Sequence, residues 1–343
     1  MFQSVSHPAG PKWKWLLTCA VVSLALVAGL LWILRVTRMP LRSYRGPLPA
    51  LSPAQTDLAA RLAVHVKFLS GTIGERSVRK PESLHAVNEY ARDELGRAGF
   101  AISEHSYSLD GQKVSNLEAI LVGSEGASDT VVLGAHYDSV PGTVGADDNA
   151  TGVAAVLEVA RMLQGSKLHK TVRFVLFVNE EPPFFQTDIM GSLVYARQLK
   201  RDHIAVSAMI SLEMLGYYSE ARASQKYPAL LGLFYPSRGD FIGFVGKSDS
   251  PDLVRRAVRC FRQTTSFPSE GVAAPADWPG VGWSDHWSFW QVNYPAIMIT
   301  DTALFRNPHY HTPYDTADKL DFEKMARVVE GIRRVVEALT IGH

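Results

Sequence analysis

Cysteine is scarce in this sequence: Cys19 and Cys260 are the only two in 343 residues, which gives no disulfide framework from which to read a redox compartment. An excess of one charge sign is missing as well. Lys and Arg number 35 against 34 Asp and Glu, a formal net charge of +1, and that balance excludes the basic profile of a nucleic-acid binder. Low-complexity tracts and internal repeats are absent. With 46% hydrophobic and 20% charged residues, the composition is that of an ordinary globular enzyme.

Charge disappears altogether between Trp15 and Leu34, a run rich in Leu, Val and Ala. As a helix it is long enough to span about 30 Å of hydrocarbon, so residues 15–36 read as a transmembrane anchor after a short tail, residues 1–14. A cleaved signal peptide would have a shorter apolar core and a small-residue cleavage site, whereas Leu31, Trp32, Ile33 and Leu34 carry the run straight to Arg35. Lys12 and Lys14 precede the span, while Arg35, Arg38, Arg42 and Arg45 follow it. By the positive-inside rule that asymmetry favours a cytoplasmic body.

Residues 37–53 hold Pro40, Pro47, Pro49 and Pro53 without an acidic residue, which suits an extended linker. The remaining residues, 54–343, read as one α/β domain. Apolar runs over Asn116–Val122, Thr130–Ala135, Thr171–Val178, Ala205–Leu212 and Pro295–Thr300 are expected to be buried strands. Helical patterns cover Leu58–Leu69, Pro81–Ala98, Gly152–Leu163, Gly191–Lys200, Pro251–Phe261 and Asp321–Leu339. The alternation predicts a three-layer αβα sandwich around a central mixed, largely parallel sheet.

In such sheets chemistry gathers beyond the carboxyl ends of the strands. His136 follows the run VVLGA, Glu180 and Glu181 follow VRFVLFVN, and Glu213 follows AMISL. Asp138, two residues past His136, is placed to accept the ring N–H that a metal-bound imidazole leaves free. Asp147 and Asp148 precede an apolar helix, where a cap needs only one such residue; two crowded carboxylates beside a histidine call for a cation. Adjacent residues at an extended strand end point in opposite directions, so one of Glu180 and Glu181 could bind metal while the other faces the activated water. His309 and His311 lie in a Pro-bounded loop, and one of them is expected to reach the site. Mixed nitrogen and oxygen donors suit zinc, with cobalt or manganese as substitutes.

The motifs GAHYDSV (134–140), GADDNATG (145–152), NEE (179–181), SLEMLGYY (211–218), SDHWSFW (284–290) and HTPYDTADKLDF (311–322) occur in that order. In them the chain resembles the two-zinc exopeptidases, a family that includes bacterial leucyl-type aminopeptidases, glutamate carboxypeptidases and glutaminyl cyclases. The resemblance covers Asn116–Leu339. It implies two zinc ions per chain, with His136 and Glu213 as ligands of one, Glu181 and His311 of the other, Asp148 bridging them, and Glu180 as general base.

Many members carry aspartate where Glu213 stands. The resemblance further implies peptide substrates, removal of N-terminal residues, and an extracytoplasmic catalytic domain, opposite to the side that the flanking arginines favour. Glutaminyl cyclase, carboxypeptidase or dipeptidase activity, or a non-catalytic binding module, are the alternatives. Tyr310, Trp283, Asp285 and His286 are candidate substrate contacts, and Arg306 or Arg238 could clamp a substrate carboxylate.

Overall fold

A computed structural model describes residues 12–124 and 129–341; the first eleven residues of the expected N-terminal tail lie outside the described residues. Two compact units divide at Arg38/Met39. The first contains helix α1 (Lys12–Thr37), in which the 25 residues Trp13–Thr37 are long and apolar enough to cross a membrane. At 1.5 Å per residue they reach about 37 Å, beyond the hydrocarbon thickness of a bilayer.

The second unit is built on an eight-stranded sheet. Its strands are β1 (Ile102–Leu109), β2 (Gln112–Leu121), β3 (Asp129–His136), β4 (Thr171–Phe177), β5 (Ala205–Glu213), β6 (Ile242–Lys247), β7 (Ser269–Ala274) and β8 (Ala296–Thr300). They lie in the order β1-β2-β4-β3-β5-β8-β6-β7. The central β4-β3-β5-β8 block is parallel, while β1, β2 and the β8/β6 pairing are antiparallel. This is the mixed, largely parallel sheet that the sequence predicts.

The helices are α2 (Pro53–Lys67), α3 (Pro81–Arg97), α4 (Gly152–Leu163), α5 (Gly191–Arg201), α6 (Pro251–Thr264), α7 (His286–Gln291) and α8 (Phe322–Thr340). They cover both faces of the sheet, because each central strand is apolar on both sides. Val131, Leu133 and Ala135 of β3 join the core under α2, α3, α4, α6 and α8, while Val132 joins the core under α5 and α7. Helix α2 starts at Pro53 because Ser52 caps it and Gln55 returns a bond to the Ser52 main chain, so its first turn extends into what reads as linker.

Three strands escape the sequence pattern. β1 is a half-exposed edge strand, ISEHSYSL, too polar to read as buried. β6 is short and carries two glycines, and β7 lies inside the stretch Ser266–Trp290, which its Pro, Gly and Trp content disguises as a loop. The linker is extended as expected, yet it is held along the body. Arg262 Nη1 donates to the carbonyls of Pro40 (3.1 Å) and Leu41 (3.0 Å), the Ser269 N–H donates to Ser43 Oγ (2.9 Å), and Arg327 Nη2 donates to the Pro49 carbonyl (2.6 Å).

Candidate metal centre and active site

Strand order reverses around β3, with β4 on one side and β5 on the other, and this is where an open α/β sheet leaves a crevice. His136 is the last residue of β3 and Glu213 the last of β5. Glu180 and Glu181 follow β4, Asp148 lies in the turn before α4, and His311 comes from the loop after β8.

Main-chain hydrogen bonds fix these loops and leave the side chains free. Asp315 accepts the N–H groups of Asp147 (2.9 Å) and Asp148 (3.0 Å) through its two oxygens. Asn149 ties the same turn to the end of β5: its amide donates to the Leu212 carbonyl (2.8 Å), and its oxygen accepts from Met214 (3.1 Å). Asn179, Met214 and His311 each have left-handed backbone, with φ of 59°, 49° and 56°. Non-glycine residues in that region are uncommon and costly, and here each sits in or beside the candidate site.

Three donor triplets result, His136/Asp148/Glu213, Asp148/Glu181/His311 and His136/Glu180/Glu181, and Asp148 belongs to the first two. Asp148 Oδ1 lies 3.4 Å from His136 Nε2, and its Oδ2 lies 3.1 Å from His311 Nε2. Glu213 Oε2 is 3.3 Å from His136 Nε2, and Glu181 Oε2 is 3.3 Å from His311 Nε2. A tetrahedron with arms of about 2.0 Å has edges of about 3.3 Å, so these spacings are those of donors around a small dication. His136 Nε2, His311 Nε2 and Glu181 Oε1 are buried with no hydrogen-bond partner. Buried polar groups are ordinarily paired, and these three fit metal coordination instead.

Electrostatics agree with that fit. Burial disfavours the His136 imidazolium, yet the carboxylates of Glu213 and Glu180 outweigh it and hold the ring well above its ordinary pKa. For His311 burial likewise opposes the charge, but the close carboxylates of Asp148 and Glu181 bring it to about 10. Burial pushes Glu181 up to about 8 and, with Glu213, Glu181 and Asp285 reinforcing and His136 opposing, raises Glu180 well above the carboxylate range. The cavity thus asks for positive charge, supplied by protons on imidazole or by metal ions.

Residues 116–336 match the sequence pattern of peptidase family M28. The chain belongs to that family. This M28 peptidase is 39% identical over 276 residues to the uncharacterized protein YfbL of Escherichia coli K12, covering 78% of this chain and 84% of that one. It is 27% identical over 238 residues to a probable leucine aminopeptidase of Arthroderma otae, covering 63% of this chain and 57% of that protein's length.

Two solved structures share the fold. BSAP, a zinc aminopeptidase from Bacillus subtilis, aligns with a TM-score of 0.66 at 15% identity over 81% of this chain and 94% of its own. A Bacteroides thetaiotaomicron glutaminyl cyclase bound to N-acetylhistamine aligns with a TM-score of 0.62 at 18% identity, over 85% and 99%. Family and relatives together make the M28 chain a peptide hydrolase.

In this M28 peptidase the expected ligands His136, Asp148, Glu181, Glu213 and His311 converge with the expected base Glu180, and His309 lies against Tyr217 instead. Two details differ from expectation. Asp138 does not serve His136 alone: its Oδ1 lies 3.6 Å from His136 Nδ1, which also faces the Asp138 main-chain carbonyl at 3.2 Å, while the two Asp138 oxygens accept the N–H groups of Glu180 (3.2 Å) and Glu181 (3.1 Å). Nor do Glu180 and Glu181 diverge as on a strand, because β4 ends at Phe177 and left-handed Asn179 turns the chain; both carboxylates reach the cavity.

Tyr310 stacks on His311 with ring centroids 3.7 Å apart, and it lines an apolar pocket beside Glu213 together with Tyr227, Phe244, Trp283, Met298 and Phe305. Asp285 and His286 are fully buried and are not pocket-lining residues; the His286 ring packs edge-on against Trp290 and its Nε2 contacts the Val281 carbonyl at 2.7 Å. Trp290 is likewise core. Arg306 cannot clamp a substrate, since it is buried among Gln225, Tyr218 and Phe241. Sequence reasoning missed Arg76, Asp315 and Ser284, whose hydroxyl donates to Glu213 Oε2 (2.7 Å). Asp315 and Ser284 left a signal, as parts of the HTPYDT and SDHWSFW motifs, and Arg76 left none.

Proposed function

We propose that the chain is a membrane-tethered, zinc-dependent aminopeptidase with two metal ions. The observation that carries this is that Asp148 joins two of the donor triplets, one oxygen toward each histidine. His136, Asp148 and Glu213 would hold one ion, and Asp148, Glu181 and His311 the other. Bound there, zinc supplies a Lewis acid and lowers the pKa of water.

Glu180 takes the proton of the attacking water and returns it to the departing amine. Asp138, through the N–H groups of Glu180 and Glu181, keeps base and ligand in register. The apolar pocket receives the first side chain of the peptide, and helix α1 anchors the enzyme.

Zinc quantification on the purified chain, combined with hydrolysis of paired free-amine and N-acetylated peptides, tests the proposal. We expect two equivalents of zinc and cleavage of the free-amine peptides alone. One equivalent with pyroglutamate formation from N-terminal glutamine would indicate a cyclase; equal cleavage of acetylated peptides would exclude an aminopeptidase.

Two further results are expected. Each buried CH2 is worth about 0.8 kcal/mol, so kcat/KM for an N-terminal Leu, with three more carbons, should exceed that for Ala by roughly sixty-fold. A ratio near one in aminoacyl anilide assays would remove the pocket from specificity. Asp138→Ala frees two N–H groups beside the ligands, and a supporting partner of this kind is worth about 10- to 100-fold in activity or metal affinity. Parent-like steady-state kinetics and zinc titration in that variant would dismiss its role.

A further inference from the structure

Arg76 lies in the chain before the family match begins at residue 116, and its side chain is completely buried. Every hydrogen bond that it makes goes to a main-chain carbonyl. Nε donates to Tyr137 (2.7 Å), Nη1 to Leu69 (3.4 Å), Gly74 (2.9 Å) and Val144 (2.6 Å), and Nη2 to Gly145 (2.8 Å). Tyr137 lies between His136 and Asp138, and Gly145 opens the turn that carries Asp148.

The Arg76 main chain strengthens the same bracket. Its N–H donates to Ser139 Oγ (3.1 Å), and its carbonyl accepts the Ser139 N–H (2.8 Å). Gly145 has φ +55°, and a Cβ there would stand 2.7 Å from Arg76 Nη2 and 2.3 Å from the Asp148 carbonyl, so the guanidinium and the turn pack at closest approach.

A buried guanidinium without a hydrogen-bonded carboxylate is costly unless nearby negative charge compensates it. Burial lowers its pKa to about 10, against the influence of Asp315, Asp138, Asp148 and Glu181, so it remains charged at neutral pH. All four of these carboxylates belong to the metal centre or its supports. A lysine could not span the same carbonyls, because only the planar fork of arginine presents five donors in fixed directions.

We infer that Arg76 is a positioning residue for the metal centre: its guanidinium sets the separation between the strand end bearing His136 and the turn bearing Asp148, and so governs how tightly the ions are held. The inference rests on the metal-centre proposal. It assigns to a segment outside the matched family region a part in building the site.

The test compares the full chain in detergent with Arg76→Lys and Arg76→Met. Zinc affinity is read by competition with a chromophoric chelator, folding by near-UV circular dichroism, and kcat and KM at saturating zinc. Expected for Arg76→Met is a zinc dissociation constant raised at least ten-fold and a kcat lowered at least ten-fold, with KM within three-fold; Arg76→Lys, which keeps charge but loses the fork, falls between.

Folded variants with parent-like zinc affinity and kcat would overturn the inference. So would variants that fail to fold even at saturating zinc, because Arg76 would then be a folding element alone. A parent chain that binds no zinc would instead defeat the metal-centre proposal and leave the bracket as described.

Discussion

Glu180→Gln is expected to retain zinc and fold like the parent while peptide turnover falls by about 10³-fold or more. The amide is isosteric with the carboxylate, and the main-chain N–H at position 180 still donates to Asp138, so the loop keeps its anchor. What disappears is the capacity to accept a proton. Glu180 lies 3.9 Å from His136 Nε2 and belongs to the His136/Glu180/Glu181 group but to neither triplet that Asp148 joins, so the five candidate ligands remain in place in the variant. Stopped or steady-state hydrolysis of a leucyl substrate, normalised to zinc content, measures the effect. Turnover within ten-fold of the parent at equal zinc would move the base to another residue; loss of zinc with loss of activity would make Glu180 a ligand.

Removal of the metal should abolish turnover, restored by added zinc, and should destabilise the protein increasingly as pH rises from about 5 to 8. In the metal-free chain burial raises Glu181 from an ordinary 4.5 to about 8, and Glu180 and Glu213 also stand above their ordinary values. Between the unfolded and folded values the unfolded chain loses its proton first, so rising pH favours unfolding.

His311, raised from 6.5 to about 10, acts in the same direction: its stabilising proton is fully present below 6.5 and is lost as pH climbs toward its folded value. Asp148, held below its ordinary value, contributes stability lost only as pH falls below the usual carboxylate range, outside this window. Each pKa unit corresponds to about 1.4 kcal/mol. The difference in Tm between zinc-loaded and chelated protein should therefore widen from pH 5 to pH 8 by roughly 5 °C or more. A constant or narrowing difference in calorimetric scans would contradict the buried, charge-seeking cavity.

His136 and Glu213 were legible because each closes an apolar run, where an unpaired polar side chain has no bland reason to stand. Asp148, Glu180 and Glu181 were legible through crowding of like charges. Glu213 departs from the more common aspartate, yet its longer side chain still brings Oε2 to 3.3 Å from His136.

Arg76 left no local trace, because its acceptors are carbonyls of any residue type, some more than 60 positions away. The second role of Asp138, toward Glu180 and Glu181, was missed for a related reason: the left-handed turn at Asn179, which delivers two N–H groups to it, has no periodicity to announce it. Edge strand β1 was hidden because exposure on one side removes the continuous apolar run that marks its central neighbours, and β7 because its residues SEGVAA form no such run.

The main chain that carries Asp148, Glu180 and Glu181 is held by N–H bonds to Asp315 and Asp138, so its placement does not wait for an ion to organise it. A cage assembled in advance from imidazole nitrogen and carboxylate oxygen offers little by which to reject one small dication in favour of another. The resident element would then be set by the trace-metal supply of the compartment in which the enzyme matures. Growth conditions, as much as the polypeptide, would decide which ion is found in the isolated protein.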